Sequence, residues 1–206
     1  MKLKFNSYQS VFHLLDDLPM DELRHMHRVG VLAGLLTREL LGLQSELLPQ
    51  HVVLFEKAAQ YHDIGKIWIP PEILMKSGKL TEEERQIVQQ HPVFAQMLLT
   101  EAKEGNIVGI PEHLIPLTMD CAAYHHEWWN GEGYPYGLKG KDIPLVARIT
   151  SICDAYDAMT SDRVYRAANT HEYACMELER CAGIQFDPTL VEVFLKSTIN
   201  QLDAYR

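Results

Sequence analysis

Positive charge is scarce in this chain. Nineteen Lys and Arg stand against 28 Asp and Glu, a formal net charge of −9 over 206 residues. That balance argues against a broad basic face for duplex nucleic acid, so an anionic ligand would need local cations. Long apolar runs are missing too: stretches such as Val29 to Leu36 fall well short of the about 18 continuous apolar residues of a membrane helix. The polar start, Met1 to Ser10, carries no secretory signal, which implies a cytoplasmic address. Only four cysteines occur, Cys121, Cys153, Cys175 and Cys181, with no CxxC pair. They read as buried thiols, neither a zinc knot nor a disulfide framework. Alternating strand patterns are nearly absent.

What remains is helical periodicity. Apolar residues recur at three- and four-residue steps in almost every segment, and the expectation is an all-α chain forming one domain over residues 1–206. A chain of this size buries roughly 70% of the surface it exposes when unfolded, so a metal would serve function more than folding. A short first helix is expected over about residues 7–16, broken by Pro19, then a long one from about Asp21 that stops near Gly42. Further helices are expected over Val52 to Tyr61, from Thr81 (capping-box spacing to Glu84), from His91-Pro92, and over Glu112 to Tyr124. Pro144 to Thr160, His171 to Cys181 and Pro188 to Ile199 complete the set, the last two capped by Thr170 and Asp187. Between Trp129 and Ile143 runs a loop with Gly131, Gly133, Tyr134, Pro135 and Gly137, too rich in glycine for a helix and long enough to suggest function.

Ten histidines are a modest excess, and their arrangement says more than their number. His13, His27, His51, His113 and His171 have no persuasive partner and read as surface or structural residues. His62-Asp63 and His125-His126 are adjacent pairs at expected helix ends, while His25, His91 and Asp154 lie on other helices. Neighbouring helical side chains diverge by about 100°, so a consecutive pair can give one group to each of two nearby metal ions. Imidazole with carboxylate suits iron, manganese, zinc or nickel.

Together, His62-Asp63-Ile64-Gly65-Lys66, His91-Pro92, His125-His126-Glu127 and Gly131-Glu132-Gly133-Tyr134-Pro135 resemble the HD-GYP family of bacterial phosphodiesterases. The likeness continues through Asp154-Ala155-Tyr156-Asp157-Ala158-Met159-Thr160, Arg163-Val164-Tyr165-Arg166 and Phe186-Asp187-Pro188, and begins at His25 with Arg28-Val29. It implies an HD-domain helical bundle around two or three divalent ions, iron or manganese ahead of zinc or nickel. It also implies hydrolysis of cyclic di-GMP to pGpG, with continuation to GMP left open. Carried over, His62, His91, His125, His126 and Asp154 are terminal ligands, Asp63 bridges, and the use of His25 varies with the number of ions. Trinuclear members have Glu four residues before that histidine, where this chain has Asp21. Asp21 is therefore either a ligand of a third ion or the helix N-cap.

Two such cations about 3.5–4 Å apart can share a hydroxide and aim it at a phosphodiester phosphorus. Lys66 is the expected extra cation on the phosphoryl group. Arg163 and Arg166 are expected either to grip the second phosphate or to pair with Asp157 or Asp162. Tyr134 would lie beside a guanine or against a partner, which in the family includes cyclic-dinucleotide synthase domains. Gly131 and Gly133 would supply backbone freedom, and Trp128 and Trp129 would be core or stack on a base. Two competing readings stand beside this one: a 3′,3′-cyclic GMP-AMP phosphodiesterase, and a catalytically silent cyclic-dinucleotide adaptor. With about 20 residues before the first ligand helix, the expectation is no separate regulatory domain. Oligomeric state stays open, with a dimer through the first or last helix compatible with the sequence.

Overall fold

The computed structural model describes residues 9–162 and 167–198. Helices dominate, as the periodicity requires, and one two-residue parallel pair, β1 (Gln9–Ser10) with β2 (Ile107–Val108), ties the front of the chain to its middle. The first helix, α1, spans Val11–Leu15 and is shorter than expected. Ser10 caps it, its hydroxyl accepting from the Phe12 amide, which moves the start to residue 11. Next, α2 spans Met20–Glu39. Because it begins directly after Pro19, Asp21 falls in its first turn, where a carboxylate suits the positive end of the helix dipole, and the N-cap reading is corrected. Gly42 adopts a φ of 81° just beyond the helix.

The rest of the bundle comprises α3 (Gln50–Ala59), a 3₁₀ turn over Ile64–Trp68, α4 (Pro71–Leu74), α5 (Glu82–Val88) and α6 (His91–Lys103). These lead to α7 (Ile115–Tyr124, after a 3₁₀ turn at Glu112–Leu114), α8 (Leu145–Thr160), α9 (His171–Arg180) and α10 (Pro188–Val193). A π-type turn, Phe194–Thr198, continues α10. The capping box at Thr81 and Glu84 is formed, and Thr170 and Asp187 cap α9 and α10. Each cap satisfies amides that the first helical turn leaves without partners.

The amphipathic face of α2 buries Met26, Val29, Leu32, Ala33 and Leu36 against α3 and α8, and α7 packs between α3, α6 and α8. Leu98, Leu99, Ile149, Ile152, Leu178, Leu190 and Phe194 join the same apolar cluster. Cys121 and Cys153 are buried within it, but Cys175 and Cys181 are only half-buried, a correction to the expectation for all four. Cys175 lies on α9 and Cys181 follows its last residue, and that helix leaves Glu172, Tyr173 and Met176 exposed to solvent.

The 3₁₀ turn after α3 lies so close to α6 that a Cβ on Gly65 would sit 1.9 Å from the His91 carbonyl oxygen and 2.7 Å from the Ala95 amide. Backbone cannot swing aside as a side chain can. Gly65→Ala is therefore expected to destabilise the protein by about 1–3 kcal/mol, read as a lower denaturant midpoint at unchanged slope.

Candidate metal centre

Five helices or the residues that follow them bring the histidine and aspartate side chains together. His25 comes from the second turn of α2, His62 and Asp63 follow α3, His91 opens α6, His125 and His126 follow α7, and Asp154 lies on α8. Their ligand atoms form two groups, each within 4.8 Å of one another: Asp63, His91, His125 and His126 in one, His25, His62 and Asp154 in the other. Asp63 faces both. Its Oδ1 lies 3.1 Å from His91 Nε2 and 3.8 Å from His125 Nε2, and its Oδ2 lies 3.2 Å from His62 Nε2 and 3.8 Å from His25 Nε2. Asp154 Oδ1 is 3.0 Å from His25 Nε2.

The adjacent pairs behave differently from each other. His62 and Asp63 diverge, as consecutive residues should, and His62 joins the second group. His125 and His126 instead turn into the same group, with ring centroids 4.1 Å apart. His125 ends α7 and His126 lies past it, so the 100° rule that holds within a helix no longer applies.

The backbone orients the rings. His62 Nδ1 is 2.8 Å from the Ala59 carbonyl, His91 Nδ1 2.7 Å from that of Val88, and His125 Nδ1 3.1 Å from that of Ala122. A ring that donates through Nδ1 presents an Nε2 lone pair to the centre, the arrangement typical of metal-bound imidazoles. His25 is oriented by a carboxylate: its Nδ1 lies 2.6 Å from Asp157 Oδ2, and Arg28 holds Asp157 through both guanidinium and carboxylate forks at 2.6 and 2.9 Å. Asp157 and Arg28 escaped sequence reasoning as positioning groups. Their signal was the three-residue step that pairs His25 with Arg28 on α2 and Asp154 with Asp157 on α8.

Electrostatics matches a cation-binding centre. Burial, reinforced by neighbouring imidazoles, drives His125 well below the usual histidine range and His126 down to about 3, so both are neutral donors. Burial would raise Asp63, yet Lys66 and His62 outweigh it and keep it ionised. Burial would likewise lower His25, but Asp154 and Asp157 raise it to about 9. Buried His25 Nε2, His62 Nε2 and Asp63 Oδ1 have no hydrogen-bond partner among the described residues. These buried atoms, two from the turn after α3 and one from α2, fit divalent ions, which supply the missing partners once the His25 ring gives up its proton. The donor set is imidazole and carboxylate with no thiolate, which suits a divalent transition metal and not a structural zinc knot.

Lys66 reaches back from the 3₁₀ turn, its Nζ 2.7 Å from Asp63 Oδ2 and 2.8 Å from Glu22 Oε2. Glu22 was missed by sequence reasoning, which looked four residues before His25. Three residues before also lies on that face of α2, and the structure places Glu22 there. Asp21, by contrast, has a side chain 72% exposed, pairs with Arg24 at 3.3 Å, and belongs to neither ligand group. It lines a cleft together with Glu22, His25, Arg28, Met75 and Asp157.

The glycine-rich loop packs onto the centre from the α7 side. Tyr134 stacks on the His126 ring, centroids 4.7 Å apart, and its amide donates to the His126 carbonyl. Buried Glu127 accepts from the Tyr136 and Leu138 amides at 2.7 and 2.9 Å and holds the loop's return. Gly131 does adopt positive φ, at 88°. Gly133 serves a different purpose from the backbone freedom expected of it: a Cβ there would lie 2.2 Å from the Trp128 amide. Pro135 follows Tyr134 through a cis peptide bond. Trp128 and Trp129 are half-buried, and the Arg148 guanidinium lies 5.9 Å from the Trp129 ring. Arg163 and Arg166 lie outside the described residues, but Asp157 is engaged by His25 and Arg28. Of the remaining histidines, His13, His27 and His113 are exposed, His51 stacks on Phe55, and His171 lies 2.7 Å from the Tyr156 hydroxyl.

A family model described as HD domain matches residues 21–190. A probable cyclic di-GMP phosphodiesterase of Vibrio cholerae is 40% identical over 182 residues, covering 88% of this chain and 40% of that protein. The same organism's 3′3′-cGAMP-specific phosphodiesterase 2 is 38% identical over 143 residues, covering 69% of this chain and 26% of its own length. The chain thus spans less than half the length of these curated relatives. Among solved structures, the HD domain of the L. monocytogenes phosphodiesterase PgpH in complex with cyclic di-AMP superposes with a TM-score of 0.64. That match has 18% identity and covers 95% of both chains, a likeness of fold.

Asp63→Asn removes the charge common to both groups while keeping its shape. Elemental analysis of the variant is expected to find less than half the iron or manganese of the parent chain, whereas Asp21→Asn leaves metal content unchanged.

Proposed function

The chain belongs to the HD-domain family, of the HD-GYP type its motifs indicate, and on that basis we propose that it is a metal-dependent phosphodiesterase that hydrolyses cyclic di-GMP to linear pGpG. The observation that carries the proposal is Asp63, whose two oxygens face two separate groups of imidazole and carboxylate ligands. We assign His91, His125 and His126 to one ion, His25, His62 and Asp154 to the other, and Asp63 to both. Iron or manganese fits these ligands best. Bound ions supply Lewis-acid polarisation of the phosphodiester and water of lowered pKa.

The protein's own groups do the rest. Lys66, beside Asp63, offers its ammonium to a non-bridging phosphoryl oxygen, where negative charge grows as the phosphorus is attacked. Asp157 and Arg28 hold His25 in one orientation, and Tyr134 covers His126 and shields it from water. Arg163 and Arg166 are assigned to the second phosphate, and the loop around Gly131 to Pro135 to the base or to a synthase-type partner. Free Cys121 and Cys153 agree with a reducing, cytoplasmic setting, and among the described residues no helix is long and apolar enough to cross a membrane.

The test is anaerobic purification with metal counting, followed by assay with cyclic di-GMP and 3′,3′-cyclic GMP-AMP at equal concentration. The expected result is two ions per chain, pGpG as first product and faster turnover of cyclic di-GMP. Less than one ion per chain, with no turnover after loading with Fe(II) or Mn(II), would establish the adaptor reading instead. Lys66→Met is expected to lower kcat about 10²–10³-fold, the usual loss when one donor to a developing oxyanion is removed.

A further inference from the structure

The Lys66 ammonium is nearly enclosed, its side chain 13% exposed, and it lies between two carboxylates. One is Asp63. The other, Glu22, projects from the first turn of α2, 44 residues away in sequence, and its side chain is itself only 20% exposed. Enclosing an ion pair costs desolvation that the pair's attraction seldom recovers in full, so stability alone is a weak reason for it. Its consequence for the centre is more specific. Lys66 Nζ lies 2.7 Å from Asp63 Oδ2, the same oxygen that faces His62 and His25. An ammonium paired with that oxygen alone would compete with a cation for it and repel the cation.

We propose that Glu22 is the positioning residue for Lys66: it shares the ammonium with Asp63 and cancels its charge, leaving the Asp63 oxygen available to an ion at the His25, His62 and Asp154 group. This rests on the hydrolase reading above. The geometry has a second consequence. Glu22 and His25 lie one turn apart on α2, so the element that carries a ligand also carries the group that aims the lysine, and the two keep a common register. Asp21, one residue earlier, points to solvent and does neither.

The test is a double-mutant cycle of Glu22→Gln and Lys66→Met, with Mn(II) binding to the metal-free full chain measured alongside cyclic di-GMP turnover. Glu22→Gln is expected to weaken the weaker of two Mn(II) sites by about 10–100-fold and leave the tighter one unchanged. It should lower kcat over the same range with KM within about twofold, the split expected when a transition-state contact is misplaced. In the Lys66→Met background it should change neither quantity, because a residue that acts through the ammonium has nothing left to act on. Glu22→Asp, one methylene shorter, should fall between parent and Gln variant and serves if the latter folds poorly. Two Mn(II) sites unaltered by Glu22→Gln, or an equal loss with and without Lys66, would overturn this inference alone. A parent chain that binds no Mn(II) would overturn the hydrolase reading and this inference with it.

Discussion

Everything in this site turns on one buried carboxylate. Asp63 directs one oxygen to His91 and His125 and the other to His62, His25 and Lys66. Holding an ionised carboxylate away from water is unfavourable unless positive charge or hydrogen-bond donors surround it. The surrounding groups meet that demand in part through Lys66, and divalent ions would meet the remainder. The close approach of the 3₁₀ turn to α6 at Gly65 sets where Asp63 can stand, so packing and chemistry share a constraint.

Around this carboxylate the ligands are held by partners of two kinds. His62, His91 and His125 are oriented by backbone carbonyls, which move only if a helix moves. His25 is oriented by Asp157, which Arg28 holds in turn, and this arrangement spans α2 and α8. Three of the rings, in both groups, therefore depend on local helix geometry, and His25 on how two distant helices pack. The first group is also the better shielded, with Tyr134 laid over His126 and Glu127 pinning the loop behind it. On the side of the second group, His25, Arg28 and Asp157 line a cleft.

Much of the fold was legible in the chain because its cues are local. Capping residues Thr81, Thr170 and Asp187 act within a single turn and stand where their spacing put them. The start of α1 was less legible: the expected helix began near residue 7, but Ser10 caps it and sets its first residue at Val11. Ligand residues stood out through adjacency and motif, but their grouping did not. His125 and His126 enter one group because α7 ends at Tyr124, just before them, a boundary that shifts with packing.

The sequence by itself determined the helical class, the caps, the donor chemistry of imidazole and carboxylate without thiolate, and the resemblance that named a reaction. These follow from residue type and short-range spacing, which survive without knowledge of any long-range contact. Tertiary structure alone decided that Glu22 and not Asp21 meets Lys66, that Asp157 serves His25, that Gly133 is needed for space, and that His125 and His126 turn into one group. The reason is geometric: a one-residue step on α2 rotates a side chain by about 100°. Only the packing of α2 on α3 and α8 determines which of two neighbouring carboxylates turns inward.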